Sequence, residues 1–290
     1  MSLQVGRRNR CDTTRELTVP MAMKFKDPEL LTLSGELTRE RALDALLRAG
    51  PAGGRATELA MFARGVTDVD VVAGAAGRLR ICRHLREHPD GQVTIAPPQA
   101  ASSAERLLEL LSPLPAGVML SDARHLTDHG RYALLPATLI ADGDQARLAA
   151  EFVLEACERA RVSDVRAALI AATVMELADN ALTHATGTGD PPSVAATVSG
   201  RQRFVEIAAV DLGRGISESS DCVELVRQIP GANGGRGFLS HLIRKGTSRQ
   251  LQVSIEIISG VGRLRWTRAR HRPAQGNYVA GTTVIVRINP

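Results

Sequence analysis

Apolar residues in the first half of the chain follow two different spacings. Runs of about four to eight apolar residues are typical of buried strands, whereas apolar residues at every third or fourth position are typical of helices. The sequence therefore predicts strands at 30–35, 58–66, 92–96 and 117–120, and helices at 38–49, 76–88 and 104–111. Strands that alternate with helices predict an α/β layer fold.

The second half combines two helical patterns with a group of strands near its end. Asp142 caps a predicted helix that runs to about residue 161, and Ser163 or Asp164 caps the next helix. Strands are predicted at 132–140, 204–210, 252–258, 263–267 and 282–288. The third and fourth of these form a predicted hairpin around Gly260-Val261-Gly262, and the last closes the sheet.

The helix that begins near Ser163 separates apolar from polar side chains. Its apolar face, at about 100° per residue, consists mostly of small residues that allow close packing on a sheet: Ala167, Ile170, Ala171, Val174, Ala178, Ala181 and Ala185. The opposite side carries four polar residues: Glu176, Asn180, Thr183 and His184. A solvated face is the simplest interpretation, but such faces favour Lys, Arg and Glu, and no Lys intervenes here.

These polar groups suit a site for a metal and a nucleotide. The carbonyl oxygen of Asn180 is a hard ligand of the kind that Mg²⁺ prefers. The carboxylate of Glu176, one turn away, can orient or deprotonate an attacking water or hydroxyl, and the His184 imidazole can meet a phosphate oxygen. The pattern predicts Glu176 as a catalytic base and Asn180 as a metal ligand.

A second polar cluster follows the strand predicted at 204–210. Asp211 stands at the end of this strand, with Gly213 and Gly215 directly after it. A carboxylate there can accept the amino hydrogen of adenine, and glycines let the backbone approach the purine without a Cβ atom. A simple turn explains the same residues equally well.

A third cluster, Gly235, Arg236 and Gly237, opens a helical segment predicted at 238–244. A glycine-rich helix entrance offers free N–H groups and the positive end of the helix dipole to a triphosphate. Arg236 can add a charge-assisted contact. The Walker pattern GxxxxGK[ST] occurs nowhere in the sequence.

In this order the clusters resemble the GHKL family of ATP-binding domains, which includes gyrase, heat-shock chaperone, histidine kinase and mismatch-repair ATPases and bacterial anti-sigma serine kinases. The resemblance covers residues 135–290. It implies these roles: Glu176 as general base, Asn180 as Mg²⁺ ligand, His184 as phosphate contact, Asp211 with Gly213 and Gly215 as adenine site, Gly235 and Gly237 as phosphate-side glycines, and Thr282 or Thr283 as the threonine behind the adenine.

The resemblance also implies a fold and a cofactor. We expect a two-layer α/β sandwich of the Bergerat type that binds ATP and Mg²⁺, with a lid at 217–236. This lid is shorter than the lids of gyrase-type ATPases, which favours a regulatory kinase or switch close to the anti-sigma serine kinases.

The first half is similar to the STAS domain of bacterial signalling regulators, which begins where this chain has the segment 31–37. The phosphorylated serine of that family should precede the helix predicted at 76–88. This chain has Asp70-Val71-Val72-Ala73-Gly74 there and no hydroxyl, so we expect a docking or scaffold role. The predicted organisation is a flexible leader (1–24), a STAS-like domain (25–130) and a GHKL domain (131–290).

Composition narrows the classes of partner. The net charge is +5, and aromatic residues make up only 3% of the chain. Scarce aromatics argue against binding of single-stranded nucleic acid, which stacks its bases on aromatic rings. The basic stretch 263–272 is best interpreted as a solvated face rather than as a site for nucleic acid or an acidic partner. Apolar runs long enough for a membrane span or signal peptide are missing, so we expect a cytoplasmic protein without membrane contact.

One short motif suggests a different chemistry. His84 and His88 belong to an HxxEH pattern, which inverted zinc proteases use to bind a metal. Pro89 follows immediately and ends the predicted helix, and histidines at a helix C-terminus are also favoured by the helix dipole. We interpret this pair as part of a solvated helix face.

Three functions remain open at the level of sequence. The first is a bacterial protein kinase (serine or threonine) or ATPase switch that uses Mg-ATP. The second is a non-catalytic module that binds a partner according to its nucleotide, and the third is a histidine kinase core acting in trans. Each requires ATP and a regulatory protein partner, and a homodimer is compatible with all three.

Overall fold

A computed structural model describes residues 29–47, 57–121, 133–185, 189–198, 204–215, 252–267 and 271–289. The protein is mixed α/β: a parallel sheet of four strands with helices comes first, and an antiparallel sheet of five strands follows. The α/β class predicted from the sequence is confirmed at this level.

Strands and helices of the first half alternate strictly along the chain. The elements are β1 (Glu29–Leu37), α1 (Arg39–Leu47), β2 (Glu58–Val69), α2 (Val71–Glu87), β3 (Gln92–Ala96), α3 (Ala101–Leu111) and β4 (Val118–Leu120). The strand order is β1-β2-β3-β4, and all neighbouring pairs are parallel. Each helix connects two neighbouring parallel strands, and such connections share one handedness. The helices therefore lie on a single face of this sheet.

The second half builds the antiparallel sheet and two long helices. Its elements are β5 (Ala133–Leu139), α4 (Gly143–Arg159), α5 (Asp164–His184), β6 (Ser193–Val198), β7 (Val205–Asp211), β8 (Gln252–Thr267) and β9 (His271–Asn289). The strand order is β5-β6-β7-β9-β8. The predicted cap at Asp142 is confirmed, because its carboxylate accepts a hydrogen bond from the Gln145 backbone N–H at 2.8 Å.

The antiparallel sheet packs against helices on both of its faces. Helices α4 and α5 cover one face, where they share a hydrophobic core with Ile207, Ile255 and Trp266. Helices α1 and α2 cover the other face, where Ala208 and Val210 join the core of the first half. The α1–α2 layer therefore lies between the two sheets.

Charged side chains of both halves meet at the edge of this layer. The Arg39 guanidinium pairs with Glu206 on β7, with Glu256 on β8 at 2.6 Å and with Asp70 at 3.5 Å. Arg287 on β9 also contacts Glu206, at 2.6 Å. A network of this kind fixes the lateral position of α1 on the sheet, which apolar packing alone specifies weakly.

Helix α2 begins at Val71, five residues before the start predicted at Ala76. The Asp70 carboxylate caps this helix by accepting a hydrogen bond from the Val72 N–H at 2.9 Å. The two valines and Gly74 have weak helix propensity, but all three are buried against other elements, and packing outweighs propensity. The residue before the helix is therefore Asp70, a carboxylate.

The predicted hairpin around Gly260-Val261-Gly262 is wrong. Strand β8 continues through these residues to Thr267, with irregular pairing at Gly260 and Gly262, and it pairs with β9 along its whole length. The predicted last strand, 282–288, is confirmed as the C-terminal part of β9, which lies between β7 and β8. Glycines mark a bulge within a strand as readily as a turn between two strands.

The interpretation of His84 as a solvated residue is also wrong. Its side chain is buried, its Nε2 lies 3.4 Å from the Thr57 carbonyl oxygen, and burial lowers the pKa of its imidazole. The rings of His84 and His88 lie 4.9 Å apart. Among the described residues, no group of three or more His, Cys, Asp or Glu is arranged to hold a metal ion. No helix within the described ranges is long and apolar enough to cross a membrane.

Candidate functional site

Helix α5 carries the first group of candidate residues. Its predicted apolar face is buried, and the helix packs against β7 as its small side chains allow. On its other side, Glu176 and Asn180 are half-buried, whereas Thr183 and His184 are exposed. The sequence therefore assigned the faces of this helix correctly.

Glu176 and Asn180 are in direct contact. The Asn180 Nδ2 donates a hydrogen bond to Glu176 Oε1 at 3.1 Å. This bond uses the amide nitrogen and leaves the amide oxygen, the atom that a hard cation binds, for another partner. His184 follows one turn later, about 6 Å further along the helix axis.

Asp211 is the last residue of β7 and is only 4% exposed. Its Oδ1 accepts two backbone hydrogen bonds, from the Gly213 N–H at 2.8 Å and from the Thr282 N–H at 3.3 Å. Burial raises the pKa of Asp211 to about 6, although both hydrogen bonds and the nearby His184 act in the opposite direction. A buried carboxylate with a raised pKa at a strand end is a typical feature of a binding site.

The loop after Asp211 lies against the C-terminus of α5. A Cβ atom at Gly213 would lie 2.6 Å from the His184 carbonyl oxygen, which is too close for any other residue. This contact brings the Asp211 loop and the end of α5 together. Gly213 therefore lies beside the end of the helix that carries Glu176 and Asn180, whereas Gly215 lies beside Ser259 and Gly281.

Strand β9 completes the described part of the site. Gly281 has a positive φ of 73°, and a Cβ atom there would overlap the Asp211 carbonyl. This close approach lets Thr282 pair with Asp211 across the two strands. Only glycine satisfies both requirements.

The two candidate threonines lie on opposite faces of the sheet. Thr282 is opposite Asp211, whereas Thr283 is opposite Val210, which faces the α1–α2 layer. The Thr283 hydroxyl is buried without a hydrogen-bond partner among the described residues. Of the two alternatives left open by the sequence, Thr282 lies at the site and Thr283 does not.

Sequence reasoning missed Ser259. It lies on β8 opposite Thr282, is buried, and its Oγ donates a hydrogen bond to the Gly281 carbonyl oxygen at 3.2 Å. A hydroxyl between Ile258 and Gly260, at the end of an apolar strand, was the available signal. Without knowledge of the register between β8 and β9, nothing connected it with Thr282.

Gly235, Arg236 and Gly237 lie outside the described residues, as do the predicted lid at 217–236 and the helix at 238–244. Their assignment to a triphosphate stays a prediction.

No protein-family model matches the chain, and a search of curated proteins finds no relative. Assignment of a function therefore depends on the geometry of the site. In the described chain, a carboxylate–carboxamide pair lies on α5, and the C-terminus of this helix contacts the loop that follows the buried Asp211.

Proposed function

We propose that this chain is a regulatory protein that binds Mg-ATP through a GHKL-type site in its second half. The observation that supports this most directly is the state of Asp211. One carboxylate oxygen is held by two backbone N–H groups, so the carboxylate has a fixed orientation and its other oxygen can accept the amino group of adenine.

The contact between Glu176 and Asn180 supports a role for Mg²⁺ and for catalysis. In our proposal Asn180 binds Mg²⁺ through its amide oxygen, while its amide nitrogen orients Glu176. Bound Mg²⁺ would neutralise charge on the phosphates. Glu176 would then act as the base that removes a proton from water, giving an ATPase, or from a serine or threonine hydroxyl, giving a protein kinase.

A non-catalytic switch is the second candidate, and the packing of the two halves favours it. The α1–α2 layer covers the back of the strands whose ends form the site. Such a layer can serve as a docking element whose position depends on the nucleotide, in agreement with a STAS-like first half that carries Asp70 in place of a hydroxyl residue. In this case ATP is bound without useful turnover.

Titration of Mg-ATP against Asp211→Asn tests the site itself. The amide oxygen of Asn can accept the same two backbone hydrogen bonds, so the fold is retained. The amide nitrogen then faces the amino group of adenine, and two hydrogen-bond donors repel each other. We expect a loss of affinity of at least about tenfold, the value of one charge-assisted hydrogen bond. The exposed Asp179→Asn on α5 is the matched control and should bind as the wild type does. Equal affinity of Asp211→Asn and wild type would exclude this pocket.

Glu176→Ala separates the two candidates. If the chain is catalytic, this variant should bind Mg-ATP within about threefold of wild type, while phosphate release or transfer falls by about 100-fold or more. If wild type and variant both bind ATP with the same negligible turnover, the switch is the correct function. Incubation with labelled ATP and a candidate protein substrate then tells a kinase from an ATPase.

A further inference from the structure

Three polar side chains form one row at the end of the antiparallel sheet. Asp211 on β7, Thr282 on β9 and Ser259 on β8 are opposite one another in register. Since side chains alternate along strands, these three point to the same face, the one that α5 covers. All three are buried.

The hydrogen bonds of this row determine which groups donate. The Ser259 hydroxyl donates to the Gly281 carbonyl oxygen at 3.2 Å, and its Oγ lies 3.4 Å from Thr282 Oγ1. A hydroxyl has one hydrogen, and that of Ser259 is used at Gly281. The hydrogen between the two hydroxyls is therefore that of Thr282, which donates to Ser259 and keeps its lone pairs for another partner.

Asp211 presents an acceptor next to this hydroxyl. Its Oδ1 already receives two backbone N–H groups, and its Oδ2 is an acceptor when the carboxylate is ionised. An acceptor pair of this kind matches an exocyclic amino group, which has two hydrogens. It repels a 6-oxopurine, which has a carbonyl oxygen in place of the 6-amino group of adenine.

We propose that Ser259 is a specificity-determining residue, which orients the Thr282 hydroxyl as an acceptor and so selects adenine over 6-oxopurines; this inference rests on the nucleotide site proposed above. Ser259 acts through Thr282 and is a positioning residue. The glycine loop adjoins it, since a Cβ atom at Gly215 would lie 2.7 Å from Ser259 Oγ.

A purely structural role makes a different prediction. Ser259 adjoins the irregular pairing at Gly260, so its bond to Gly281 also ties β8 to β9. Loss of such a tie weakens binding of every nucleotide equally. Loss of an oriented acceptor changes the ratio between nucleotides, because the released Thr282 hydroxyl can rotate and donate to an oxo group.

The test compares Kd values of Mg-ATP and Mg-ITP for the full chain, since inosine has an oxo group where adenine has the 6-amino group. Wild type should prefer ATP by about 30-fold or more, and Ser259→Ala should reduce this preference about tenfold, mainly through tighter binding of ITP. Ser259→Thr keeps the hydroxyl and should keep the preference. Thr283→Val, next to Thr282 but on the opposite face, is the control and should behave as wild type.

Each other outcome has a definite meaning. An unchanged ATP-to-ITP ratio in Ser259→Ala, or an equal loss for both nucleotides, overturns the role of Ser259 and leaves the nucleotide site intact. Equal binding of ATP and ITP by wild type also overturns the role of Ser259 and leaves the nucleotide site intact. Absence of binding of either nucleotide by folded wild type overturns the site and this inference together. If Ser259→Ala does not fold, judged by its thermal melt, Ser259→Cys provides the same comparison.

Discussion

The two sheets of this protein reverse the usual pattern of burial. Parallel sheets are normally covered on both faces, whereas antiparallel sheets often expose one face to water. Here the parallel sheet leaves Leu30, Phe62 and Met119 exposed by 65%, 41% and 49% on its outer face, within the part of the chain that the structure describes. Strand β7 of the antiparallel sheet is buried at every position.

Topology explains this reversal. Because consecutive strands of the parallel sheet are neighbours, its helices collect on one face, and its other face receives none of them. The α1–α2 layer then packs between the sheets and covers the antiparallel one from behind. Coverage of a sheet therefore depends on where neighbouring helices lie as much as on the direction of its strands.

The reversal also bears on the site. Strands β7, β9 and β8 present Asp211, Thr282 and Ser259, in that order, to one face, and Val210, Thr283 and Ile258 to the α1–α2 layer on the other. The strand ends that carry the proposed site are therefore in contact with the first half of the chain through their opposite face.

Substitution of one apolar residue by Asp in each sheet should give the largest difference in unfolding free energy. Ala208→Asp puts a carboxylate between β7 and the α1–α2 layer, where Ala208 is fully buried, whereas Leu30→Asp lies on the exposed face of β1. We expect a loss of about 3–5 kcal/mol in unfolding free energy for Ala208→Asp, because an unpaired charge is buried. Leu30→Asp should cost less than about 1 kcal/mol. Urea denaturation measures both, and similar losses would contradict the difference in burial.

Removal of the charged network tests how firmly the two halves are joined. Arg39 is 22% exposed and contacts Asp70, Glu206 and Glu256. Its replacement by Ala leaves three carboxylates close together, so we expect a loss of about 2 kcal/mol in unfolding free energy, less than for a fully buried pair because solvent screens it.

Arg147→Ala is the matched control for this loss. Its side chain is more than half exposed, and its pair with Glu151 on α4 lies far from the interface. It should change the unfolding free energy by less than about 0.5 kcal/mol. If Arg39→Ala costs no more than this control, the network does not hold the halves together.

The smallest expected effect is a dependence of stability on pH. Burial in the layer between the sheets raises the pKa of Asp70 to about 6, against the lowering influence of Arg39. Because this carboxyl pKa is raised, the folded state binds more protons than the unfolded state between about pH 4 and 6. The stability contributed by protonated Asp70 is therefore complete below that window and is lost as pH rises through it.

Asp70→Asn removes this dependence and keeps the helix cap, since Asn caps as well as Asp. The stability of wild type relative to Asp70→Asn should fall by about 1–2 kcal/mol from pH 4 to pH 7. The exposed Asp144→Asn is the control for loss of one carboxylate outside this layer. A flat difference for Asp70→Asn would contradict its burial between the sheets.

The sequence predicted most of α5 and the position of Asp211, because these depend on local pattern. A face of small apolar residues every third or fourth position needs a partner surface whatever the topology, and a carboxylate directly after an apolar strand must lie at a sheet end. The start of α2 could not be predicted in this way. Its valines have weak helix propensity, and their burial together with the Asp70 cap keeps them helical.

Long-range register accounts for the remaining differences. Gly260 suggested a turn because no local signal tells a bulge from a turn, and the pairing of β8 with β9 along its length decided in favour of a bulge. The same pairing separated Thr282 from Thr283 and brought Ser259 to the site.

The sequence by itself determined the α/β class, the polar face of α5 and the candidate residues Glu176, Asn180 and Asp211, since residue type and periodicity act over a few neighbouring residues. Only the tertiary structure decided that the α1–α2 layer covers the antiparallel sheet and that Ser259 and Thr282 join Asp211. These features arise from contacts between residues far apart in the chain. The free energy of such contacts depends on surfaces that exist only after the sheets have formed.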